Sequence, residues 1–171
     1  MVRLKRHVRW TVVSFVSAAV ILGFVFPSLV AANAEIDHAL QEMLVEAQEQ
    51  VSSLTVDELA AMMEDGSEMT LVDVRTEAEY QAGHLRGALW IPRGKLEFMA
   101  AAGKLGSTDD DYVVYCRKDG RASLAAATLK RLGFEKVRYV DGGFESWVTE
   151  GHPIYNQHGE LMVLEFEKEE E

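Results

Sequence analysis

The run from Tyr112 to Gly133 constrains this chain more than any other stretch. A short apolar, β-prone segment, Tyr112 to Tyr115, leads into Cys116, the one cysteine among 171 residues. A polar turn, Arg117-Lys118-Asp119-Gly120, follows. The next segment is rich in alanine and leucine, carries Lys130 and Arg131 in its last turn and has Gly133 just beyond, the stop signals of a helix. Cys116 is therefore expected in a strand-loop-helix corner, where loop N–H groups and a helix N-terminus make an anion site. Arg117, Lys118 and Arg121 add positive charge, and Asp119 opposes part of it. A lone cysteine in an unmarked strand reads as inert core. The basic loop and the strand-to-helix position favour a reactive sulfur here.

The surrounding chain repeats the alternation of strand and helix. Thr55-Val56-Asp57-Glu58 and Thr76-Glu77-Ala78-Glu79 are capping boxes, the first opening a helix that runs to about Glu64. Thr70 to Val74, Ala88 to Ile91 and Val137 to Val140 read as short strands. Gly94 to Lys104 and Phe144 to Glu150 read as helices, and Asp141-Gly142-Gly143 as a turn. Short strands alternating with helices predict an α/β fold, a central, mostly parallel sheet covered on both faces. Ligands in such sheets bind at the carboxyl ends of strands, and Cys116 lies at one.

Four stretches in this order carry a resemblance. They are Cys116 to Arg121; Leu71-Val72-Asp73-Val74-Arg75; Gly83-His84-Leu85-Arg86-Gly87-Ala88 with Ile91-Pro92; and Asp141-Gly142-Gly143 with Trp147 and Gly151. Together they resemble a single domain of the rhodanese (sulfurtransferase) family. The resemblance implies a rhodanese-like domain over residues 53–154, with a six-residue active loop at Cys116. It also departs from the family at one place: many family loops carry glycine fourth, where this chain has Asp119 and places Gly120 next.

Composition bears on partners and place. Arg3, Lys5, Arg6 and Arg9 precede an uncharged, mostly apolar run from Thr11 to Val30, and Ala32-Asn33-Ala34 precedes Glu35. These are the three parts of a secretory signal peptide. The same 20 residues are long enough to span a bilayer, so residues 1–34 read as a signal peptide or as a membrane anchor through residues 11–30. Either reading puts the domain outside the cytoplasmic membrane, in the periplasm. Beyond those four basic residues, 13 basic face 28 acidic ones, a balance of −15. That argues against nucleic acid as a partner, which needs a basic face. Residues 35–52 read as a helical linker with Ile36, Leu40, Met43, Ala47 and Val51 on one face. Residues 155–171 form an acidic tail, in which Leu161 to Phe166 reads as an edge strand or docked segment.

The other candidates for chemistry are weaker. Asp73 and Arg75 read as a structural ion pair near the loop, as the resemblance also implies. His84 sits in a turn motif with no third residue to orient it, which argues against a Cys-His pair. The five histidines show no paired spacing, so no metal site is predicted, and no cofactor is implied. Trp90 and Trp147 read as core.

The resemblance implies a sulfurtransferase. Cys116 takes the outer sulfur of an anionic, thiosulfate-like donor as a persulfide and passes it to a thiol or cyanide. Arg117, Lys118, Asp119, Gly120 and Arg121 bind the substrate. Two rivals stand beside this: a non-catalytic or sulfur-carrying module that binds a partner in the cell envelope, and a Cys-loop phosphatase or arsenate reductase. Four residues separate Cys116 from Arg121, one fewer than the phosphatase pattern.

Overall fold

A run of alanine, leucine, glutamate and glutamine forms a helix over residues 33–50 (α1). The computed structural model describes residues 33–161. The apolar run 11–30, nearly all of the expected signal segment 1–34, and residues 162–166 of the expected edge strand lie outside that range. Among the described residues no helix is long and apolar enough to cross a membrane.

Within α1 the expected face is only half right. Ala47, and Val51 just beyond the helix, are buried, but Met43 is exposed and Leu44 is half-buried in its place. Ile36 and Leu40 are likewise exposed. The contact face is 44, 47 and 51, one step round the helix from the face expected.

After β1 (Ser53–Leu54), α2 (Val56–Glu64) opens on Thr55, whose hydroxyl accepts the Glu58 N–H at 3.2 Å while the Glu58 carboxylate accepts the Thr55 N–H at 2.8 Å. The second expected box holds in the same way at Thr76 and Glu79, opening α3 (Glu77–Ala82) after β2 (Thr70–Asp73). Such reciprocal caps satisfy two otherwise orphaned donors. β3 (Leu89–Trp90) is shorter than expected. The helix expected over residues 94–104 is a 3₁₀ turn (Arg93–Lys95) followed by α4 (Leu96–Ala101). Then come β4 (Asp111–Tyr115), α5 (Gly120–Arg131), β5 (Lys136–Val140) and α6 (Gly143–Thr149). A hairpin of β6 (Ile154–Asn156) and β7 (Gly159–Leu161) ends the described chain.

The five strands β1 to β5 form one sheet in the order β1-β5-β4-β2-β3, every pairing parallel. Residues of β4 alternate between two cores. Tyr112 and Val114 face Leu96, Ala125, Ala126, Leu129, Ala47 and Val51. Val113 and Tyr115 face Leu59, Leu85, Trp147 and Ile154. A central parallel strand covered on both faces must be apolar throughout, which is why Tyr112-Val113-Val114-Tyr115 shows no polar alternation. The chain leaves β2 for β3 on one side and returns to β4 on the other. The crevice beyond the carboxyl ends of β2 and β4 is therefore a topological switch point, the preferred ligand site of such sheets.

Candidate active site

Cys116 is the first residue after β4, at that switch point, and is 2% exposed. Its loop is held from behind by α6. The Phe144 N–H donates to the Cys116 carbonyl and the Glu145 N–H to the Arg117 carbonyl, each at 2.9 Å. Gly143 allows this approach: its φ is +57°, and a Cβ there would stand 2.7 Å from the Cys116 carbonyl oxygen and closer still to that of Lys118. With its carbonyls drawn towards α6, the loop leaves its donors free. Among the described residues the N–H groups of residues 117–122 meet no acceptor, and α5 has no side-chain cap. Free N–H groups in a turn that opens a helix form a concave anion site.

The polar side chains of the loop turn outward or brace it. Asp119 accepts the Gly142 N–H at 2.6 Å, tying the loop to the start of α6. Its φ of −120° is open to any residue. Glycine is therefore not needed at this position, and the carboxylate serves as a brace. Arg117 and Lys118 both reach Glu145, at 3.0 and 3.3 Å, and are well exposed. Burial opposes ionisation of Glu145, but Lys118 and Arg117 hold its carboxyl below the usual range. Arg121 makes a bidentate pair with Glu79, Nη1 to Oε2 at 2.9 Å and Nη2 to Oε1 at 2.8 Å. That pair, helped by the Thr76 hydroxyl and N–H, holds the Glu79 carboxyl well below its usual range against the cost of burial. The basic residues read from the sequence are thus matched by Glu79 and Glu145, neither of which the sequence marked for this role. Glu79 was legible only as a cap.

Asp73 and Arg75 lie beneath the loop and are almost wholly buried. Arg75 Nη2 donates to Asp73 Oδ2 at 2.7 Å and to the Gly83 carbonyl at 2.6 Å. Its guanidinium lies 3.8 Å from the centre of the Phe144 ring. One cation thus joins the end of β2, the chain after α3 and α6. A buried charge so fully partnered is scaffold rather than reagent. His84 stacks on Tyr80 at 3.9 Å, with Nδ1 3.0 Å from the Tyr80 carbonyl, and its backbone bridges to Tyr155. A cleft of about 370 Å³ beside it is lined by Tyr80, Gln81, His84, Asn156 and Gln157 and includes no residue of the 116–121 loop. Trp147 is core, with Nε1 donating to the Pro153 carbonyl, while Trp90 is only half-buried and donates to the Arg75 carbonyl.

Residues 55–150 match the Rhodanese-like domain family. The chain is 31% identical over 123 residues to thiosulfate sulfurtransferase 18 of Arabidopsis thaliana, covering 66% of this chain and 89% of that one. It is 32% identical over 110 residues to a sulfurtransferase of Allochromatium vinosum, covering 64% and 99%. Other relatives are longer, and the chain spans 26% of one and 51% of another. Among solved structures, RPA3614 of Rhodopseudomonas palustris, described as a possible tyrosine phosphatase, matches at 32% identity. Its TM-score is 0.63, over 67% of this chain and 92% of that one.

Proposed function

The chain belongs to the rhodanese-like domain family, and from that premise we propose that it is a sulfurtransferase working through a Cys116 persulfide. One observation carries this reading: the only cysteine stands at the switch point of a parallel sheet, inside a loop whose N–H groups are free. The Cys116 thiolate attacks the outer sulfur of a thiosulfate-like donor. A sulfur–sulfur bond forms at Cys116, the donor's own breaks, and sulfite leaves with that bonding pair. A thiol or cyanide then attacks the terminal sulfur and restores the thiolate. The loop N–H groups stabilise negative charge on the sulfur where it develops, without reorganising. Arg121, in the first turn of α5, is held in place by its pair with Glu79.

The reading extends to location. A basic start, a 20-residue apolar run and an Ala-x-Ala site support export, with the domain in the periplasm and the mature chain beginning at Glu35. N-terminal sequencing of the membrane-external protein checks this. An intact Met1 in the membrane pellet would indicate an anchor through residues 11–30.

The test of the chemistry is mass. Thiosulfate should raise the intact mass by one sulfur atom, about 32 Da, and cyanide or a thiol should remove it. Cys116→Ser should keep the fold and lose both the mass shift and turnover. Sulfur transfer retained by Cys116→Ser would end this reading. A well-folded protein that takes no sulfur from thiosulfate or from any member of a persulfide-donor panel would point to the non-catalytic module. Phosphate release from an aryl phosphate would point to the phosphatase.

A further inference from the structure

Cys116, whose sulfur reacts in this reading, is 2% exposed as a residue, so a donor reaches it only past something that moves or yields. One element beside the loop does not belong to the family match, which begins at residue 55. That element is the end of α1, whose Ala47, followed by Val51, lies in the same buried cluster as Cys116, Ala122 and Ala126. Its Leu44 side chain reaches the active loop. A Cβ built on Gly120 would meet Leu44 Cδ2 at 3.1 Å and Cδ1 at 3.8 Å, the nearest atoms from outside its own stretch of chain among the described residues. Among the described residues of other elements, Leu44 is the one that covers the open side of Gly120.

Three features make this contact suited to gating. Leu44 is only half-buried, so its hold on the loop is weaker than that of the core residues behind it. Gly120 offers no side chain to interlock with it, and the contact is apolar, with no hydrogen bond to break on opening. The α6 side of the loop, by contrast, is fixed by two backbone hydrogen bonds and the Asp119 brace. The soft side of the loop is the α1 side.

We propose that Leu44 is a specificity-determining residue, a gate on α1 that screens by size the reagents able to reach Cys116. Small donors and acceptors slip past it, whereas bulky thiols wait for it to swing away. The inference rests on the sulfurtransferase reading for its meaning, but its test does not. Cys116 is the only cysteine, so its alkylation reports access directly and needs no turnover.

The experiment compares alkylation rates of the wild type, Leu44→Ala and Leu44→Met by iodoacetamide, which is small, and by N-(1-pyrenyl)maleimide, which is bulky. Wild type should show a large gap between the two reagents, after correction for their reactivity with a free small thiol. Leu44→Ala should raise the maleimide rate about tenfold, the change that roughly 1.4 kcal/mol of lost packing produces, and leave the iodoacetamide rate much less altered. Leu44→Met keeps the volume and the fold while loosening the contact, and should fall between them. A corrected size gap that is absent in the wild type, or unchanged in Leu44→Met and in any folded Leu44→Ala, overturns the gate. Failure to take sulfur from thiosulfate, with the size gap behaving as described, counts against the proposed activity and leaves the gate standing.

Discussion

Glu145 does two jobs within one residue. Its backbone N–H clamps the Arg117 carbonyl, and its carboxylate occupies both Arg117 and Lys118. The side chain can be changed without touching the clamp. Glu145→Gln should release two exposed cations beside the loop and raise the second-order rate constant for thiosulfate, by about threefold to tenfold at low salt. Added salt should shrink that gain, because exposed charges are screened within about 10 Å at 0.1 M ionic strength. Stopped-flow or initial-rate measurements at two ionic strengths decide the matter, and a gain insensitive to salt would point away from charge. Asp119 illustrates the same economy: a residue that looks like a departure from the family's loop is a brace to Gly142 with ordinary backbone angles.

At the level of elements, the Arg121–Glu79 pair fastens the first turn of α5 to the first turn of α3. Because Arg121 depresses the Glu79 carboxyl, folding favours its ionised form. The stabilisation is complete above the unfolded value, near pH 4.3, and is lost as pH falls towards the lower folded value. Glu79→Gln keeps an acceptor for the Thr76 cap and removes the charge. It should cost about 1 kcal/mol at neutral pH, a figure discounted because both partners are partly exposed. Urea melts should show the gap between wild type and variant constant from about pH 5 to pH 8 and closing below about pH 4. A gap that widens in acid would reverse the sign and exclude this linkage.

Across the whole molecule, the family match at residues 55–150 is smaller than the folding unit. Ala47, Val51 and Leu54 are buried, and β1 supplies an edge of the sheet by pairing with β5. A chain shortened to begin at Thr55 should lose on the order of 4–7 kcal/mol, from Val51 and Leu54 at roughly 1.5–3 kcal/mol each and about 0.8 kcal/mol for the Ala47 methyl. Equilibrium urea unfolding measures this, and a loss under about 1 kcal/mol would mean that the leading segment only leans on the domain. The strong negative balance, −11 over the full chain, repels anions at long range. Any use of an anionic donor therefore rests on the local field of the loop.

Local and periodic features could be read from the order of residues. Both capping boxes, the apolar run of β4, the helix after Cys116 with its stop signals, and hence a parallel α/β sheet with the cysteine at a strand end, were all legible. Each depends on neighbours within a turn or two of chain. The partners were set by packing. Glu79 meets Arg121 across 42 positions and Glu145 meets Arg117 across 28, pairings set by how helices pack on the sheet. The face of α1 was ambiguous for a geometric reason. At about 3.6 residues per turn, Ala47 and Val51 fit a stripe with Met43 as well as one with Leu44. Only the position of the domain beside that helix chose Leu44, and with it the contact on Gly120.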